Sequence, residues 1–92
     1  KTTSITVIRD GSALSAQTVR IEELRSEREI ETAAGQTAIV QVVVVGYKGH
    51  QTITDTDLQR EDRFAVDGVG YEIVALVPGL ADSLQAYAKV RS

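Results

Sequence analysis

Thr37-Ala38-Ile39-Val40-Gln41-Val42-Val43-Val44-Val45-Gly46-Tyr47 is the stretch on which the fold turns. Ile39, Val40, Val42, Val43, Val44 and Val45 are β-branched, stiff at χ1, and suited to a pleated, packed surface. Residues 37–47 are therefore expected as a strand. Polar and apolar residues do not alternate from Val42 to Val45, which implies that both faces of the strand are covered. Two arrangements do this: a central strand buried in a barrel, or a strand whose second face meets another subunit. Gly46 and Gly49 punctuate its exit.

Working outward, residues 3–9 alternate, with Ile5 and Val7 on one face, and Asp10-Gly11-Ser12 supplies a turn. Residues 17–23 alternate again, with Val19 and Ile21 inward and Thr18, Arg20 and Glu22 outward, which reads as a hairpin with one buried face. On the C-terminal side, residues 63–66 form a strand, Asp67-Gly68 turns it, and residues 71–77 return. An Asp-Gly between two β-rich runs is a strong short-range hairpin signal. Pro78-Gly79 ends that strand, because proline cannot donate to a ladder. Residues 83–91 then place Leu84, Ala86, Ala88 and Val90 on one side and Gln85, Tyr87, Lys89 and Arg91 on the other. The expected architecture is mainly β: a small antiparallel β-barrel or sandwich of five or six strands, with at most one short helix. It fills one domain, residues 1–92.

Residues 22–35 read two ways. Glu22, Glu23, Leu24, Arg25, Glu27, Arg28, Glu29, Glu31, Ala33 and Ala34 are good helix formers, and Gly35 would serve as a C-cap. Against a helix, Leu24 and Ile30 do not repeat at three-to-four spacing, so no apolar stripe would hold it. The alternative continues the second strand outward as a polar hairpin arm or ordered loop, and the reading leans that way.

Composition narrows the chemistry. The chain has 92 residues, no Cys, Met or Trp, one His, 42% hydrophobic and 25% charged residues, and a formal net charge of −3. That is the make-up of a globular domain, not of a disordered tail. A sequence pI near 5.0 argues against a dedicated nucleic-acid binder, whose affinity needs a surplus of Lys and Arg on one face. Three Tyr and one Phe leave little for base stacking. Without Cys there is no disulfide framework, thiolate metal site or cysteine nucleophile. No apolar run approaches the ~20 residues of a membrane span, and no signal-peptide pattern opens the chain. It begins with Lys1, not Met, as expected of a trimmed or excised sequence.

His50 sits in the Gly-flanked stretch Tyr47-Lys48-Gly49-His50-Gln51-Thr52, where nothing marks an activated Ser or Thr; it is expected as a solvated loop residue. Asp55, Asp57 and Asp62 are oxygen ligands over a short span, but they lack the glycine and closing glutamate of an EF-hand loop. Their expected use is structural, in turns before the next strand. No catalytic residue, metal or cofactor is expected; Gly46, Gly49, Gly68, Gly70 and Gly79 lack Rossmann or Walker spacing. The strip Glu22, Glu23, Arg25, Glu27, Arg28, Glu29, Ile30 and Glu31 reads as a solvated face, or as a subunit contact whose mixed charges fix register between neighbours. The alternative, motivated by the strand count alone, is a small non-catalytic β-barrel binding module for nucleic acid or protein, and the acidic balance counts against the nucleic-acid form.

The run of residues 46–91, with GYKGH, TDTDLQREDRF, VDGVGYEIVALVPG and LQAYAKVR, resembles the small head–tail connector proteins of tailed bacteriophages: the head-completion, adaptor or stopper subunits of the neck. The shared steps fall on Asp57-Leu58, Glu61-Asp62-Arg63-Phe64, Asp67-Gly68 and Tyr71-Glu72-Ile73-Val74. Glu61 departs from the pattern, which commonly has Gly before the Asp-Arg step. The resemblance covers half of the chain and implies a structural, non-enzymatic role without cofactor. It implies a homo-oligomeric ring in the virion neck, assembled in the host cytoplasm and partnered by portal, adaptor or tail proteins but by no membrane. Double-stranded DNA would pass the ring without sequence-specific binding. Val42, Val43, Val44 and Val45 would then supply a ring contact, and residues 22–31 a subunit-contact or channel loop.

Overall fold

The computed structural model describes residues 2–31, 35–78 and 80–91, and among these there is no α-helix. Eight strands follow in chain order: β1 (Thr2–Ile5), β2 (Ile8–Arg9), β3 (Ser12–Ala13), β4 (Gln17–Glu31), β5 (Thr37–Tyr47), β6 (Arg63–Val66), β7 (Val69–Leu76) and β8 (Ser83–Val90). They form one antiparallel sheet in the order β1-β4-β5-β8-β7-β6-β2-β3. The expected strands are all present. The count exceeds five or six because the first segment divides into β1 and β2, and the Asp10-Gly11 turn adds the two-residue β3.

That division positions the rest. β1 pairs with β4 at one end of the sheet, whereas β2 pairs with β6 at the other, through Ile8 opposite Arg63. Thr6 and Val7 carry the chain from one end to the other, so the sheet curls round on itself without becoming a closed ladder. Ile5 and Val7, both buried, cross the interior and join Val19, Val42, Val44, Leu58, Phe64, Ile73, Ala86 and Ala88 in one core. Burying each such aliphatic side chain contributes roughly 1.5–3 kcal/mol, which is what holds a sheet with few hydrogen bonds at its seam.

In β5 the expectation that the fold buries both faces of the strand is corrected; cover by another subunit, the other arrangement, is not addressed by a single chain. Val40, Val42 and Val44 are buried; Gln41, Val43 and Val45 point outward and are half-buried. Their outward neighbours are side chains of the same sheet: Glu22 and Tyr87 flank Val43, and Arg20 and Gln85 flank Val45. No second layer covers this face among the described residues. β-branched residues there satisfy strand propensity and cross-strand packing instead.

Residues 22–31 are strand, not helix: β4 runs on beside β5 to Glu31 opposite Thr37. The register slips between Glu23 and Arg28, so that residues 24–27 face the single residue Gln41 in a wide bulge. Helix propensity loses here because Leu24 and Ile30 make no apolar stripe for a helix to pack on, whereas a strand gains ladder bonds with β5 on both sides of the bulge. Thr32, Ala33 and Ala34, part of the helical alternative, and Gly79, part of the strand stop, lie outside the described residues.

Two turns obey their local chemistry. Asp10 and Gly11 adopt φ of 51° and 80°, and Asp67 and Gly68 of 51° and 79°, the paired positive values of a type I′ hairpin turn. Gly68→Ala is expected to lower stability by about 1 kcal/mol in urea unfolding, since a Cβ is strained at that φ although nothing crowds it. An unchanged midpoint would mean that the turn relaxes.

Candidate functional site

Three features gather the charged and exposed residues. The first is a clasp around Arg9, the last residue of β2. Its Nε and Nη2 donate to the two carboxylate oxygens of Asp62 at 3.0 and 2.9 Å, a bidentate fork. Its Nη1 and Nη2 also donate to Asp57 Oδ2 and Oδ1 at 3.1 and 3.2 Å. Asp62 is 1% exposed and accepts a further bond from the Gln59 N–H at 2.7 Å. The backbone of Asp62 accepts from Ile73 N–H, and Glu61 N–H donates to the Ile73 carbonyl. The clasp thus ties the β2 end of the sheet to the loop before β6 and to β7. Hydrogen bonds to Asp62, then to Asp57, hold the Arg9 guanidinium charged well above the ordinary arginine range.

Asp57 also donates its N–H to Gln17 Oε1, while the Gln17 amide donates to the Asp57 carbonyl, which fixes the loop to the start of β4. Asp55 Oδ1 accepts from Gly49 N–H at 2.8 Å. The three aspartates therefore organise loops, as expected. What differs is the means: Asp57 and Asp62 spend their carboxylates on an arginine some fifty positions away. Arg9 carried no local signal: it ends a short alternating run on the face of Ile5 and Val7, and nothing near it in sequence marks an acidic partner. Among the described residues, no three His, Asp or Glu side chains are placed to hold a metal ion. His50 is exposed, edge-on to Tyr47 at 5.5 Å, with Nδ1 accepting from Thr52 N–H.

Of the other residues singled out from the turn motifs, Leu58 is buried in the core, and Arg63 lies across from both Ile8 and Glu72. Tyr71 stacks on Phe64 at 5.4 Å. Asp67 and Gly68 are the β6–β7 turn. These positions build the scaffold and do not converge with the aspartates on one site.

The second feature is an arm. β8 pairs with β5 only from Val42 to Tyr47, and β1 with β4 only as far as Arg20. Beyond those points, Arg28, Glu29, Ile30 and Glu31 pair with Val40, Ile39, Ala38 and Thr37 as a two-stranded ribbon. Glu22, Glu23, Arg25, Glu27, Arg28, Glu29 and Glu31 are all exposed, and Ile30 is half-buried. Arg28 donates to the Tyr87 hydroxyl, and the Gln41 amide donates to Glu27 while its carbonyl accepts from Val90 N–H, which anchors the base of the arm. The third feature is the outward face of β5, where Ile39 is 49% exposed beside half-buried Val43 and Val45.

An open groove of about 450 Å³ also lies between residues 14–18 and 52–57. Its two carboxylates, Asp55 and Asp57, are those already engaged with Gly49 and Arg9. No protein-family model, curated protein or solved structure matches the chain.

Proposed function

We propose that the chain is a structural subunit of a tailed-phage head–tail connector, repeated as a homo-oligomeric ring that joins portal or capsid to tail on the DNA exit path. The observation that carries this reading is the arm: a charged two-stranded ribbon extending beyond the strands that pack on the core, as an element reaching a neighbour or the channel would. The resemblance of residues 46–91 supplies the class. In support, the carboxylates nearest the core are committed to loop structure, and the outward valines of β5 offer a face for subunit contact. Net negative charge suits a wall past which duplex DNA slides without sticking.

The test is native mass spectrometry on the purified chain and on Val43→Glu/Val45→Glu. The expected result is a multimer for the native chain. In the variant, subunit association is expected to weaken at least about tenfold, more than the modest loss of stability from cross-strand packing and from a charge opposite Glu22 accounts for. A native chain that stays monomeric at its highest soluble concentration contradicts the reading.

A further inference from the structure

We propose that the ring closes through one repeated contact, in which the outward face of β5 in one copy packs on the outward face of β2, β3 and β6 in the next. The inference rests on the ring reading and names the two surfaces that such a ring joins. In the sheet order β5 and β6 stand three places apart, with β8 and β7 between them, and β1 approaches β6 across the seam. The strands β1, β4, β5, β8, β7 and β6 thus wrap the core, with β5 and β6 on opposite sides of it. A closed ring needs a head-to-tail contact between two different patches on opposite flanks of each subunit, whereas a two-fold contact uses one patch twice.

Both flanks carry an apolar patch. The large apolar side chains that stand exposed among the described residues are Ile8, Ile39, Val69, Leu76 and Val90. Val69, Leu76 and Val90 lie opposite Val66, Ala86 and Tyr71, on the side of the ladder that faces the core. The other two point outward, one on each flank. Ile39 continues the outward row of Gln41, Val43 and Val45 on β5. Ile8 lies opposite exposed Ala13 and exposed Arg63, and exposed Ala65 follows two residues along β6. Ala65 in turn faces Gly70, so no side chain of β7 screens it. The β5 flank is therefore a ridge of branched side chains, and the β6 flank a low floor of alanine and glycine beside Ile8.

The rims carry opposite charges. Glu22, directly opposite Val43, holds Arg20 at 3.0 Å yet leaves its side chain 53% exposed. On the other flank the Arg63 side chain forms no ion pair among the described residues, because Glu72 beside it is turned to Arg91 at 3.9 Å. A carboxylate at the edge of the ridge and an uncommitted guanidinium at the edge of the floor fix how one copy seats on the next.

The chain has no cysteine, so introduced ones report on this contact alone. Val43→Cys and Ala65→Cys, singly and together, are treated with a short bis-maleimide and resolved on a denaturing gel. The double variant is expected to give a ladder of covalent multimers, the two single variants mixed to give dimers, and each single variant alone to stay monomeric. Arg63→Glu, at an exposed position, is expected to weaken association at least about tenfold by native mass, and Glu22→Arg/Arg63→Glu to recover most of the loss. Cross-linking of either single variant to itself would overturn the proposal, since like faces would then meet. So would a multimer whose double variant gives no ladder, or association undiminished by Arg63→Glu; in these cases the ring reading stands. A native chain that stays monomeric overturns the ring and this contact with it.

Discussion

Gly46→Ala is expected to lower the unfolding free energy by about 2–3 kcal/mol, the upper part of the range for inserting a carbon into a packed core. In a domain of 92 residues this corresponds to a fall in Tm of roughly 10–20 °C. Gly46 is on the inward face of β5 next to Val44, and its φ is one any residue accepts, so space decides the outcome. A Cβ there would stand 2.6 Å from Thr56 Cβ and 2.7 Å from its Oγ1 and Cγ2. Thr56 cannot easily retreat. Its N–H donates to the Tyr47 carbonyl at 2.9 Å and its Oγ1 accepts from Tyr47 N–H at 2.8 Å, closing residues 48–55 into a loop on the end of β5. In a Thr56→Gly background, which removes the clashing carbon, the cost of Gly46→Ala is expected to fall below about 1 kcal/mol. Additive costs in the double variant would show that the clash is not the cause.

Arg9→Ala is expected to cost about 3–5 kcal/mol, because it strands the buried Asp62 carboxylate with the Gln59 N–H as its one remaining hydrogen-bond donor. It also releases the seam where β2 meets β6, so loss of amide protection should begin at residues 57–62 and 8–9. Arg9→Lys is expected to recover only part, since an ammonium cannot fork onto Asp62 while also reaching Asp57. Arg9→Ala/Asp62→Asn should be more stable than Arg9→Ala, for it no longer buries an unpaired charge. The direction with pH follows from the raised Arg9 value. A group raised on folding contributes fully below its ordinary value and fades only as pH passes the folded one, so the clasp should not weaken in alkaline solution up to the ordinary arginine range.

Much of this scaffold was legible because its signals are local. Alternation around Val19 and Ile21, the two Asp-Gly turns, and the period-two pattern through Ala86 and Ala88 each specify a strand or a turn within a few residues. The valine run was legible as a strand but not in its burial, because β-branched side chains satisfy an outward position nearly as well as an inward one. Residues 22–31 were ambiguous for a physical reason: glutamate and arginine favour a helix locally, and only the ladder with β5 reverses that preference. Neither the Arg9 clasp nor the fit of Gly46 against Thr56 had a local mark. Both depend on where the curled sheet brings distant segments together. The arm stands in the sequence as one of two alternatives, whereas the bulge facing Gln41 depends on the register.

Electron microscopy of the purified chain mixed with an isolated tailed-phage portal assembly addresses the proposed neck role most directly. The expected result is a ring of added density, coaxial with the portal channel, on the end that faces the tail. Portal particles unchanged by an excess of the chain, with the chain itself remaining monomeric, would contradict it.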